Sequence, residues 1–154
     1  MINLKIPILY GIGVAIALIA YFLILSIFGL HVNPLYSIFN GVIMAVGLFL
    51  SLKAYRKSKG NKFKYQKGFS AVFLTGVNAT IIFLIFFAFY ATELNPGFLD
   101  QLISMWATFY STDIASVLFT VALMGFSTSI VLALTYMQLY KNSWNTKESK
   151  KHTL

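Results

Sequence analysis

Hydrophobic residues form four long runs along the chain, separated by turn residues or charges. The runs cover about residues 6–30, 35–55, 69–92 and 114–140, and charge first enters the second run at Lys53. A helix rises 1.5 Å per residue, so about 20 apolar residues cross the hydrocarbon core of a bilayer. Because backbone polar groups must be paired inside lipid, each run is predicted to be a membrane-spanning α-helix.

Turn residues mark two of the three connections. Asn33 and Pro34 lie between the first two runs, and Asn95, Pro96 and Gly97 follow the third. Proline suits the first turn of a helix, where its missing N–H costs nothing. The predicted fold class is therefore all-α, an integral membrane four-helix bundle that forms one domain over residues 1–154.

Residues 97–113 are too polar to span a membrane and too apolar for an ordinary loop. Their large apolar residues recur at spacings of three and four: Phe98, Leu99, Leu102, Met105, Trp106 and Phe109. This spacing predicts a short amphipathic helix in the outer membrane interface. The segment either caps the bundle or acts as a lid or partner-docking surface, and the pattern leaves both open.

Charge is distributed unevenly along the chain. Seven of the twelve basic residues lie between the second and third runs, in the loop 53–68: Lys53, Arg56, Lys57, Lys59, Lys62, Lys64 and Lys67. The others are Lys5 and four lysines in the tail 141–154, so four spans place every basic residue on one side. Basic loops stay cytoplasmic, which predicts a multi-pass membrane protein with both termini in the cytoplasm.

The loop 53–68 also carries aromatic residues, Tyr55, Phe63 and Tyr65 among its lysines. Anionic lipid headgroups attract basic side chains by about 1 kcal/mol each. We therefore expect the loop to set the topology and to contact anionic headgroups of the bilayer. A short loop engages few phosphates, so nucleic acid is not an expected partner.

Composition agrees with a membrane protein and limits its chemistry. Hydrophobic residues make up 58% and charged residues 10%, against about 25% charged in soluble domains. The chain has no cysteine, which excludes disulfides and thiolate chemistry. His31 and His152 are the only histidines, lie at a turn and in the tail, and are expected to be solvated. Hence no enzyme activity, metal or other cofactor is predicted.

Small residues at four-residue spacing predict where helices approach closely, since packing in lipid depends on such residues. The predicted packing positions are Gly11 and Ala15, Gly41 and Ala45, and Gly125 and Ser129. We expect these positions to form helix contacts either within one chain or within a homo-oligomer.

The candidate polar contacts within the second and third runs are Asn40, Thr75, Asn78 and Thr80. An amide in hydrocarbon needs a partner, so the two asparagines are expected to face the bundle interior and hydrogen-bond between helices. The alternative is a polar pathway for a small neutral solute or an anion.

Three segments carry a family resemblance: LSLKAYRKSKG at the end of the second run, FKYQKGFSAVFLTG opening the third, and NPGFLDQL after it. With these segments the chain resembles a family of uncharacterised small four-span bacterial inner-membrane proteins, domain of unknown function 4199. The resemblance implies the same topology and adds no site residue.

The leading functional hypothesis is a non-enzymatic accessory or scaffold subunit that packs against other membrane proteins or against itself. Two alternatives stay open: a small channel or transporter for a neutral solute or anion, and a lipid-interacting regulatory protein.

Overall fold

The computed structural model describes residues 4–106 and 113–140. Over these ranges it contains five α-helices and no strand: α1 (Lys5–Ile27), α2 (Ile38–Lys59), α3 (Tyr65–Phe89), α4 (Pro96–Trp106) and α5 (Ile114–Gln138). The helices α1, α2, α3 and α5 are long and apolar enough to cross a membrane. The all-α prediction with four spans is confirmed, while the tail 141–154 and positions 107–112 lie outside the described residues.

The helix ends follow from local chemistry. Gly60 ends α2 with φ 49°, a conformation that suits glycine, after a last turn that contains Arg56, Lys57 and Lys59. Positive charge is favourable at a helix C-terminus, so α2 continues to Lys59, beyond the predicted end near residue 55. At the start of α5 the Asp113 carboxylate accepts the backbone N–H of Ser116 at 2.9 Å.

The central helix of the bundle is α3, which packs along both α1 and α5, while α2 packs across α1, α3 and α5. Glycines permit the close approaches. A Cβ added at Gly11 would lie 2.7 Å from the Asn78 Cβ, and one added at Gly76 would lie 2.6 Å from the Ser129 Cβ. An added Cβ at Gly47 would meet Val14. Close packing of the core therefore depends on these glycines, which let α3 approach α1 and α5 and let α1 approach α2.

Most of the predicted packing residues lie at helix contacts, and one of them lies on the open surface. Gly11 and Ala15 are buried on α1, and Ser129 is buried against Gly76. An added Cβ at Gly125 would lie 2.5–3.1 Å from atoms of Thr80. Ala45 is half-buried, and its carbonyl accepts a hydrogen bond from Tyr136. Within one chain the packing prediction is wrong for Gly41, which is exposed and would meet no atom within 4 Å.

Two hydrogen bonds join α2 to its neighbours in the half of the bundle that leads to residues 53–68. The Thr75 hydroxyl donates to the Ala71 carbonyl at 2.9 Å, and the Ser51 and Thr75 oxygens lie 2.7 Å apart. Since Thr75 uses its hydrogen on Ala71, Ser51 donates to Thr75. The Tyr136 hydroxyl donates to the Ala45 carbonyl at 2.7 Å, which ties α5 to α2.

The Ser51–Thr75 contact can be measured with a double-mutant cycle of Ser51→Ala and Thr75→Val. Both side chains are fully buried, so removing either leaves the other without its interhelical partner. We expect a favourable coupling of about 0.6 kcal/mol, as in other membrane bundles, from denaturation in mixed micelles. A coupling of zero would mean that the contact adds nothing to stability.

Candidate functional site

The candidate site is a cavity of about 550 Å³ between α2 and α5. These helices meet in their second halves, where the Tyr136 ring lies 5.5 Å from the Phe49 ring. Their first halves line opposite sides of the cavity, and α1, α3 and α4 contribute the rest of its wall. This space is called the α2–α5 cavity below. The bundle end carrying residues 53–68 is called the basic end, and the opposite end the α4 end.

Most of the cavity wall is apolar. Aromatic side chains dominate the part formed by α1, α3 and α4: Phe22, Phe83, Phe87 and Phe98. The Phe22 ring lies edge-on to the other three at 5.7–6.3 Å. Phe98 is 1% exposed, so α4 packs onto the bundle through this residue. Among the described residues that line the cavity there is no Asp, Glu, Lys or Arg.

The mouth of the cavity lies along the sides of the helices. Ile38 and Gly41 on α2 and Thr120 and Met124 on α5 line the cavity and are also exposed at the molecular surface. The opening therefore lies between the flanks of two helices that are both long and apolar enough to cross a membrane.

One amide oxygen and one hydroxyl of the wall are buried without a hydrogen-bond partner, the Asn40 Oδ1 and the Thr80 Oγ1. Thr80 is 4% exposed, whereas Thr75, one turn away, donates to the carbonyl four residues back. An unpaired buried polar group costs about 1–3 kcal/mol. The predicted interhelical hydrogen bond of Asn40 is therefore wrong for its carbonyl oxygen. Asn78 packs closely against Gly11, and the predicted interhelical hydrogen bond of Asn78 stays a prediction.

His31 lies at the α4 end of the cavity. Its ring stacks on Phe98 at 4.8 Å and meets the edges of Phe22 and Tyr90 at 5.6 and 6.0 Å. Both ring nitrogens are buried without a partner, and burial lowers the pKa of the His31 imidazole below its ordinary value. The expectation that His31 is solvated is wrong, because Phe98 of α4 stacks on the His31 ring and helps to bury it.

The height of each polar group, that is, its position along the bundle axis, follows from the register of the helices. Thr80 lies beside Gly125, and Gly76 beside Ser129, so α3 and α5 are antiparallel in a constant register. The Ser51–Thr75 contact sets the register of α2 against α3. Asn40 and Thr120 then lie at nearly the same height on opposite walls. Thr80 lies roughly 7–9 Å nearer the basic end, at 1.5 Å per residue.

The basic end carries the seven basic residues that are predicted to contact lipid headgroups, and aromatic rings lie beside two of them. Of the seven, Lys59 and Lys67 are half-buried and the others are exposed: Lys53, Arg56, Lys57, Lys62 and Lys64. The Arg56 guanidinium lies 4.3 Å over the Tyr140 ring, and the Lys59 ammonium lies 5.8 Å from the Tyr55 ring centre. Within the described part of the chain, no three His, Asp or Glu side chains cluster as metal ligands.

A model of the family described as Protein of unknown function (DUF4199) matches residues 9–138. The chain belongs to the DUF4199 family. The match includes nearly all of the four spans and every residue that lines the α2–α5 cavity, so the cavity is formed by the DUF4199 region itself. No curated protein and no solved structure matches the chain.

Proposed function

We propose that this DUF4199 protein is a non-enzymatic, multi-pass membrane protein that binds an apolar molecule from the bilayer in the α2–α5 cavity. The observation that carries the proposal is a largely apolar space of about 550 Å³ that opens between two spans and contains unpaired Asn40 and Thr80. Ligand pockets typically have volumes of about 300–1,000 Å³ and few polar groups. An occupant would pair these groups and remove their desolvation cost.

The closed basic end favours binding over transport. The cavity wall reaches no further toward that end than Met44 on α2 and Thr128 on α5. Beyond it, Leu48 is fully buried, and Tyr136 is hydrogen-bonded to Ala45. A solute that enters from the mouth therefore meets packed side chains, which supports a blind binding site.

Mild-detergent extraction followed by native mass spectrometry tests the binding function. We expect the full-length protein to keep a bound apolar molecule that is enriched over its share of the membrane lipids. Retained lipids that simply follow the composition of the membrane would contradict the proposal.

A second candidate is an accessory or scaffold role, in which α1 packs against another membrane protein or a second copy of this chain. Gly13 and Ala17 are exposed at four-residue spacing, and a Cβ added at Gly13 would meet no atom within 4 Å. Such a surface allows close helix approach in lipid. The same spectra test this role, because it requires a complex heavier than the monomer that Gly13→Leu disrupts.

The proposed orientation places the basic end in the cytoplasm of a bacterium and the α4 end outside the inner membrane. Because the chain has no cysteine, single cysteines report on this directly. Asn61 at the basic end and Gly97 at the α4 end are both exposed. We expect a membrane-impermeant maleimide to label Gly97→Cys but not Asn61→Cys in intact spheroplasts, and the reverse pattern would invert the topology.

A further inference from the structure

We propose that the ligand of the α2–α5 cavity is an uncharged amphiphile whose polar group donates hydrogen bonds, that is, a hydroxyl-bearing lipid-like molecule and not a carboxylate or a phospholipid. This inference rests on the proposed binding function and assigns the chemical class of its ligand.

The absence of compensating charge within the cavity excludes a charged ligand group. The described lining residues include no Lys or Arg, and Lys53, the first basic residue of α2, lies about 13 Å along the helix from Met44. Burial keeps His31 neutral near pH 7, since it lowers the pKa of the imidazole. An anionic group in this space would be desolvated without a counter-charge, which is strongly unfavourable.

Asp113 adds a negative charge near the α4 end. Its carboxylate accepts hydrogen bonds from the Ser116 backbone N–H at 2.9 Å and from the Ser116 hydroxyl at 2.7 Å. Those bonds lower the pKa of the Asp113 carboxyl, so it is ionised at neutral pH. Ser116 itself lines the cavity, and the nearby carboxylate therefore disfavours an anionic ligand further.

Hydrogen-bond acceptors are available on both walls at the height of Asn40. The Asn40 Oδ1 has no donor. On the opposite wall, Thr120 donates its hydrogen to the Ser116 carbonyl and Ser116 donates its own to Asp113. Both hydroxyls can therefore only accept from a ligand. A ligand hydroxyl supplies the missing donor, whereas a carboxylate or an ester supplies none.

Thr80 supplies the complementary group deeper in the cavity. Its hydroxyl has no acceptor, because it does not donate to the carbonyl four residues back as Thr75, Thr92 and Thr135 do. Thr80 lines the cavity, so its hydroxyl is the donor available to a ligand at that depth. A ligand oxygen at that depth then accepts from Thr80, while the apolar body contacts the aromatic wall.

Three probes of equal chain length test the ligand class: a long-chain alcohol, its methyl ether and the corresponding carboxylate at pH 8. Their affinities for the full-length protein in mild detergent are measured by displacement of an environment-sensitive apolar dye. We expect the alcohol to bind most tightly and the carboxylate at least tenfold more weakly. Asn40→Leu should weaken the alcohol about five- to tenfold, the effect of one hydrogen bond, and leave the ether unchanged.

The outcomes separate this inference from the proposed function. Equal binding of alcohol and ether without an effect of Asn40→Leu would overturn the ligand class and leave a purely apolar site. Tightest binding by the carboxylate would overturn it in favour of an anion. If no probe displaces the dye and no apolar molecule co-purifies, the binding function itself fails. Asn40→Leu removes a buried carbonyl oxygen that has no hydrogen-bond partner, so the variant is expected to fold.

Discussion

The Gly76→Leu substitution is expected to lower the thermal stability of the bundle strongly. Gly76 lies at a close approach of α3 and α5, and its added Cβ would lie 2.6 Å from the Ser129 Cβ and meet the Ser129 hydroxyl. The Ser129 Cβ is fixed by the backbone of α5, so the two helices must separate. Overpacking of this kind costs about 1–3 kcal/mol, and the remaining atoms of leucine add to it. The unfolding temperature in detergent measures the loss.

Gly41→Leu is the matched control. Gly41 also lies within a helix, but a Cβ there would meet no atom within 4 Å. Leucine has the higher helix propensity by about 0.5–1 kcal/mol, so this variant should unfold at the same or a slightly higher temperature. Equal losses in both variants would show that α3 and α5 do not pack as described.

Filling the cavity from Gly41 is expected to abolish ligand binding without unfolding the protein. In Gly41→Phe the new ring starts from an exposed position on the cavity wall and has about 550 Å³ of space to occupy. We expect the co-purified apolar molecule to be lost from native mass spectra while the unfolding temperature stays close to that of the unmodified chain.

Val42→Phe controls for added aromatic bulk on α2. Val42 is the next residue, 53% exposed, and does not line the cavity. This variant should keep the ligand. Retention of the ligand by Gly41→Phe, or its loss from both variants, would place the binding site elsewhere.

The hydrophobic pattern predicted the spans because length and polarity in lipid leave few alternatives. Where the helices end depended on finer chemistry, such as the basic last turn and Gly60 that extend α2 to Lys59. The helix α4 (Pro96–Trp106) covers the first part of the segment 97–113, where the apolar spacing predicted an amphipathic helix, and Phe98 proves to be its buried contact. Its position in the membrane interface remains a prediction.

The cavity itself could not be predicted from the sequence. In a span that is apolar on every side, the pattern does not distinguish a residue that faces lipid from one that faces a void. Gly41 and Gly76 illustrate this, since one borders open space and the other a close helix contact. Likewise, Thr75 and Thr80 look alike in the sequence, and only helix geometry pairs one with Ser51 and leaves the other unpaired.

Two residues had a signal that sequence reasoning passed over. Ser51 shares a helix face with Leu48 and Tyr55, both fully buried, and a serine on such a face needs a partner. His31 lies two residues after Gly29, which has a φ of 69°. The connection there is short, which limits how far the His31 ring can extend from the bundle. Its stacking partner Phe98 belongs to α4, so no local pattern connects them.

Photolabelling of the full-length protein in native membranes tests whether the α2–α5 cavity binds a hydroxyl-bearing apolar molecule. The reagent is a diazirine-bearing long-chain alcohol, and the labelled residues are mapped by peptide sequencing in the mass spectrometer. We expect saturable labelling of the cavity wall on α2 and α5, around Gly41 and Met124, that excess unlabelled alcohol suppresses. Labelling spread evenly over exposed positions such as Ile85 and Leu134, without competition, would contradict it.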